Sequence, residues 1–93
     1  MPITLRLPAV LADLVGGARH LDVDGSPADV GELFATLAAT HPVLERRIRD
    51  ETGAVRRFVN VYVDDGDIRH LDGLATALGK DAEVTVLPSV AGG

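Results

Sequence analysis

The side chains that could do chemistry on their own are few in this sequence, and their spacing does not assemble them. There is no cysteine, so thiolate nucleophiles, disulfides and sulfur-ligated metals are excluded. The only serines are Ser26, placed to cap a helix, and Ser89, which has no base near it in the sequence. His20, His41 and His70 stand apart between elements, without the paired spacing of a metal site. Asp64, Asp65 and Asp67 lack the spacing and the terminal Glu of a calcium loop, and read as a hairpin turn. No phosphate-cradling glycine loop and no HExxH occurs. Five of the nine basic residues, Arg46, Arg47, Arg49, Arg56 and Arg57, cluster in one stretch, either as a solvated face or as a dock for an acidic partner.

The remaining candidate is the C-terminus, which reads Leu87-Pro88-Ser89-Val90-Ala91-Gly92-Gly93. A Gly-Gly end has no Cβ, is thin enough to enter a narrow channel and reaches backbone angles closed to other residues. Val90, Ala91, Gly92 and Gly93 could thus thread into another enzyme's active site. Two glycines at a chain end are weak evidence alone, since a frayed tail tolerates them equally well. The elements that precede them supply the specificity.

Ile3, Leu5 and Leu7 alternate with Thr4 and Arg6, as in a half-buried strand that ends at Pro8. After a loop through Gly16-Gly17, Arg19 to Val23 alternates again, with Leu21 and Val23 apolar, and is expected to pair with the first strand as an antiparallel hairpin. Ser26-Pro27-Ala28-Asp29 reads as a helix start, with Ser26 as cap, Pro27 at the first helical position and Asp29 at the positive end. Val30, Leu33, Phe34, Leu37 and Ala38 follow at helical spacing, and Pro42 marks the stop. Leu44 and Ile48 suggest only a short helical turn, followed by a loop at Glu51-Thr52-Gly53.

Phe58 to Val63 is the best strand, placing Val59, Val61 and Val63 on one face and Phe58, Asn60 and Tyr62 on the other. Asp64 to Asp67 is turn chemistry, and Ile68-Arg69 is expected to return as a short edge strand. Glu83 to Leu87 is the last strand, with Val84 and Val86 inward. This order predicts an α+β chain, a mixed sheet of about five strands covered on one face by one main helix, which is the β-grasp or ubiquitin-like arrangement. The first and last strands would lie parallel at its centre. Residues 1–88 would form the domain and 89–93 an extended tail. The outer sheet face would offer Phe58, Asn60, Tyr62 and Leu87 to a partner, or pair them across strands.

With 93 residues there is room for one core, and with one tyrosine and two phenylalanines that core must be aliphatic. The formal charge of -5 argues against nucleic acid and anionic membranes as partners. The N-terminus lacks the pattern of a signal peptide and no apolar run approaches membrane-spanning length, so a cytoplasmic location is expected.

Three segments carry a resemblance to a known family: Arg57-Phe58-Val59-Asn60-Val61-Tyr62-Val63, Gly73-Leu74-Ala75-Thr76-Ala77-Leu78, and Val84 through Gly93. In these the chain resembles the ubiquitin-like sulfur carriers, a family that includes the molybdopterin-synthase small subunit and the thiazole-synthesis carrier. The similarity is greatest to the branch serving O-phosphoserine-dependent cysteine synthesis. It spans the whole chain and is strongest after Arg57.

The resemblance implies that the chain is a protein cosubstrate rather than an enzyme. An E1-like adenylating partner would use Mg-ATP to activate the Gly93 carboxylate, and a sulfur donor would then displace AMP to leave a thiocarboxylate. The acceptor would be a cysteine synthase holding an aminoacrylate on pyridoxal phosphate, or an enzyme thiolating a sugar or another secondary metabolite, and a metalloprotease would release the cysteine. On this reading the chain itself binds no cofactor and no metal and contributes no catalytic side chain. The absence of cysteine would keep internal thiols from intercepting the activated acyl group, and Lys80, the only lysine, leaves little scope for building chains on this protein. The alternatives are the molybdopterin-synthase small subunit, a ubiquitin-like modifier conjugated through Gly93, and a purely structural module.

Overall fold

The structure, a computed structural model, describes residues 3–88. Strand β1 (Ile3–Arg6) and strand β2 (His20–Val23) pair antiparallel, with Leu5 opposite Leu21 and Ile3 opposite Val23. The segment between them is not a plain loop. Pro8 starts a single α-helical turn, α1 (Ala9–Ala12), which tightens into a 3₁₀ turn over Asp13–Val15. Gly16 and Gly17, at φ 71° and 88°, then reverse the chain in a conformation that favours glycine. Ala12 is buried by this turn and Leu11 packs against the core.

The main helix, α2 (Val30–Thr40), begins later than Ser26 suggests. Ser26 sits at φ 48° in a turn and caps nothing, whereas Asp29 is the N-cap, its carboxylate accepting from the Glu32 N–H at 2.8 Å. Glu32 Oε1 reaches back to accept from the Ala28 N–H at 3.3 Å, so the two acidic side chains together satisfy donors around the helix start. Val30, Leu33, Phe34 and Leu37 form the buried stripe, while Ala38 faces solvent.

His41 ends α2, and Pro42 opens a second full helix, α3 (Pro42–Ile48), rather than only stopping the first. Proline suits that first position because its missing N–H would be unpaired there in any case. Leu44 and Ile48 are buried, and so is Glu45, which is 6% exposed. Glu45 Oε2 accepts from Arg49 Nε at 2.6 Å, and the Arg49 guanidinium lies 5.6 Å from the centre of the Phe34 ring. The buried carboxylate is therefore matched by a cation that is itself packed on the core.

Strand β3 (Val59–Val63), strand β4 (Gly66–Asp67) and strand β5 (Glu83–Pro88) complete the sheet among the described residues, in the order β2-β1-β5-β3-β4. β5 lies parallel to β1 at the centre, as the sequence pattern predicts, and antiparallel to β3. The edge strand is Gly66–Asp67, not Ile68-Arg69. Ile68–His70 curls into a 3₁₀ turn because Asp67 Oδ1 accepts from the Arg69 N–H at 2.9 Å and because Ile68 turns into the core. Further on, the 74–78 segment latches the start of α2, with Val30 N–H donating to Thr76 O at 3.1 Å and Leu78 N–H to Ala28 O at 2.9 Å. Gly31 permits this approach, since a Cβ there would lie 3.3 Å from Leu74 O. Val84, Val86, Val59, Val61, Leu5 and Ile3 meet α2 and α3 across one core. Among the described residues, no helix is long and apolar enough to cross a membrane.

Candidate functional site

The candidate site is the point where the chain leaves β5 toward Gly93. Val84 and Val86 are wholly buried, so the strand is driven into the middle of the sheet by its own alternation. Its two neighbours release it at different points. Pairing with β1 ends at Thr85 opposite Arg6: Leu7 N–H faces β2 and bonds Arg19 O at 2.8 Å, and Pro8, next in the phase that faces β5, has no N–H to donate. Pairing with β3 continues to Pro88 opposite Val59. The last three residues of β5 thus have strand partners on one side only, and Leu87 is 42% exposed.

A cleft of about 230 Å³ lies along this exit, lined by Val10 and Leu11 of α1, Arg47 of α3, Phe58, Leu87 and Pro88, among others. Val10 is 65% exposed and Phe58 60%. The contribution of α1 escaped the sequence reading, which took this stretch as a loop. Pro8 followed by Ala9-Val10-Leu11-Ala12 is the signal that could have revealed it, a proline at a helix start before four helix-compatible residues.

The residues expected on the outer sheet face divide. Asn60 lies directly opposite Leu87, and Tyr62 opposite Thr85, so Asn60, Tyr62 and Leu87 do share that face. Asn60 Oδ1 accepts from an Arg69 Nη2 at 2.6 Å, and Arg69 is also paired with Asp67 at 3.0 Å. Bonding from Arg69 holds the Asp67 carboxyl below its ordinary value and raises the Arg69 guanidinium. Phe58 does not join them. Val59 N–H donates to Arg56 O at 3.0 Å, closing a turn over Arg57 and Phe58 before the strand begins. That turn breaks the period of two and carries Phe58 to the end of the sheet, beside α3 and the exit of β5.

The residues Ser89, Val90, Ala91, Gly92 and Gly93 lie outside the described residues. Within 3–88, no three of His, Cys, Asp and Glu gather as a metal site.

A central parallel strand pair, a helix crossing behind it and an apolar exit at the end of β5 define a β-grasp protein. The model of the ThiS family matches residues 5–93 of the chain. The chain is 37% identical to the sulfur carrier protein CysO of Mycobacterium tuberculosis over the full length of both. Among solved structures it is similar to that of the Amycolatopsis orientalis BexX/CysO complex, with a TM-score of 0.84, 33% identity and 98% and 99% of the two chains covered. It is also 36% identical, over all of both chains, to small archaeal modifier protein 3 of Haloferax volcanii. The chain belongs to the ThiS family of ubiquitin-like sulfur carriers.

Proposed function

We propose that the chain carries sulfur as a thiocarboxylate on Gly93 and serves as a protein cosubstrate of enzymes that load and unload it. The observation that carries this reading is the family match, which runs through the C-terminal Gly92-Gly93, on a chain whose central strand leads directly into that end. A carboxylate is a poor electrophile. Its reaction with ATP in an E1-like partner forms an acyl-adenylate and releases pyrophosphate. Sulfide from a donor then attacks the acyl carbon, the C–O bond to AMP breaks, and the thiocarboxylate remains. Its sulfur is a soft nucleophile for the next acceptor.

The reading gives this chain two tasks, to present a narrow end and to dock the partner that acts on it. Mg-ATP belongs to the activating enzyme. The acceptor is a cysteine synthase that holds an aminoacrylate on pyridoxal phosphate, or an enzyme thiolating a secondary metabolite, with a metalloprotease releasing cysteine in the first case. The full-length likeness to CysO supports the cysteine branch. Leu87, Asn60 and Tyr62 form the outer part of the docking surface and Phe58 its end.

Intact-mass measurement after incubation with an E1-like enzyme, Mg-ATP and a sulfide source tests the reading. One oxygen should be exchanged for sulfur, and deletion of Gly93 should abolish the exchange. An unchanged mass with several competent activators refutes it. The likeness to small archaeal modifier protein 3 favours a second reading, conjugation of Gly93 to lysines of other proteins. Gly93 in isopeptide linkage to cellular proteins would establish that reading.

A further inference from the structure

Among the described residues, five arginines of this acidic chain are left without a carboxylate; Arg19 donates its Nε to Leu7 O at 2.9 Å, and the other four stand close together in sequence. Arg6, Arg49 and Arg69 each have an acidic partner within ion-pair distance, whereas Arg46, Arg47, Arg56 and Arg57 have none among the described residues. Three of the four line a groove of about 580 Å³ with Pro42, Val43 and Phe58, and none of the fourteen acidic residues lines it. The groove is built rather than incidental. Arg56 Nε donates to Arg46 O at 2.8 Å, and Arg56 N–H to Ile48 O at 3.0 Å, so its two walls are tied together. Its apolar part is open, with Val43 59% exposed and Phe58 beside it. Phe58 and Arg47 also line the cleft at the exit of β5, so groove and tail base form one continuous surface.

We propose that this groove docks an acidic, apolar-tipped segment of the partner enzyme that handles Gly93, with carboxylates on Arg46 and Arg47 and an apolar side chain against Phe58 and Val43. Charge selects the occupant. A solvated helix face would surround its arginines with polar residues, but here they flank exposed apolar ones. A long polyanion such as RNA would meet the net charge of -5 carried by the whole chain, whereas a short acidic segment meets only the local cations. Guanidinium forks bind carboxylates in two-point geometry, which fixes the register of the partner relative to the tail. That the segment belongs to the enzyme handling Gly93 rests on the sulfur-carrier reading; binding in the groove does not.

The test uses the full chain and a fluorescein-labelled synthetic peptide alternating Asp or Glu with Leu or Phe. The same peptide with Asn and Gln replacing the acids, and a single-stranded RNA of equal charge, serve as comparisons. Fluorescence anisotropy should show the acidic peptide binding at least about tenfold more tightly than its neutral version, weakening as salt rises. Amide shifts should concentrate at residues 43–47 and 56–58. The double variant R46E/R47E should lose about tenfold or more in affinity, and R46Q/R47Q less. F58A should weaken binding while leaving its salt dependence intact. Equal binding of the neutral peptide, shifts confined to the outer sheet face, or RNA binding as tightly through the same arginines would each overturn the proposal. Deletion of Gly93 should leave peptide binding unchanged, so failure here and failure of the sulfur-carrier reading are separately visible.

Discussion

Shortening the tail without altering its end separates reach from chemistry. Pro88 is the last residue that β3 holds, and Ser89 through Gly93 follow it. At about 3.3–3.6 Å per residue the terminal carboxyl can lie at most about 16–18 Å beyond that anchor. Deleting Val90 and Ala91 keeps Gly92-Gly93 and the whole folded domain but removes about 7 Å of that reach. A partner docked around Leu87 and Phe58 would then hold its nucleotide beyond the carboxylate. Since a misplacement of about 1 Å in a reacting group can cost about 100-fold, thiocarboxylate formation should fall by at least that factor. Inserting two glycines after Ser89 should be far milder. A longer flexible connection dilutes the end only by about the 3/2 power of its length, roughly a twofold loss. The assay is a time course of intact mass with activator, Mg-ATP and sulfide. If the shortened and lengthened chains lose activity equally, or the shortened one reacts within about threefold of the parent, the picture of a folded handle with a fixed exit is wrong.

Two further outcomes follow from the fold. Asp29→Ala removes the N-cap of α2 and should destabilise the chain by about 1 kcal/mol, lowering the melting temperature by about 4–8 °C, while Asp29→Asn restores most of the loss; circular dichroism melts measure both. Asp67 should titrate below the ordinary carboxylate value, because Arg69 bonds its charged form. Its folded pKa is depressed, so its contribution to stability is complete above the unfolded value and disappears as pH falls through the folded one. Arg69→Gln should move the carboxyl resonance of Asp67 back toward its ordinary midpoint with little change in melting at neutral pH, since the pair is exposed.

The sheet was legible in the sequence wherever alternation was uninterrupted. Leu5, Val61, Val84 and Val86 announce buried strand faces, and the parallel centre follows from element order. The period of two was misleading at Phe58, where a turn held by a backbone bond has no residue signature of its own. Ser26 lost the cap to Asp29 for a steric reason: Ser26 lies in a left-handed turn, and only Asp29 stands immediately before the first helical residue. Ile68 resembles a strand residue because it is apolar and β-branched, but the capping bond from Arg69 N–H to Asp67 bends the backbone away from the ladder. α1 is a single turn, too short to display a helical period, yet its Val10 and Leu11 line the cleft at the exit of β5. The glycine end could be singled out as a candidate from residue types, with its specificity coming from the strand and helix pattern before it. The surface around it was not readable, because that surface is assembled from α1, α3 and β5, which are distant in sequence.

That assembly explains why the apolar side chains at this end remain uncovered. Burying the part of Val10, Phe58 or Leu87 that remains exposed would stabilise the fold by roughly 1–2 kcal/mol each. Instead β1 stops at Arg6, α1 lasts one turn, and the last pairs of β5 are made with β3 alone. The opposite course is taken at the centre of the same strand, where Val84 and Val86 are completely enclosed and paired on their inner face. Opening energy is highest where burial and pairing are greatest, so the direction in which the chain leaves the sheet is set by its most resistant element. A carrier that acts through its C-terminal end, as proposed, is served by that combination: an exit fixed by the core, and beside it enough exposed apolar surface for another protein to complete the burial.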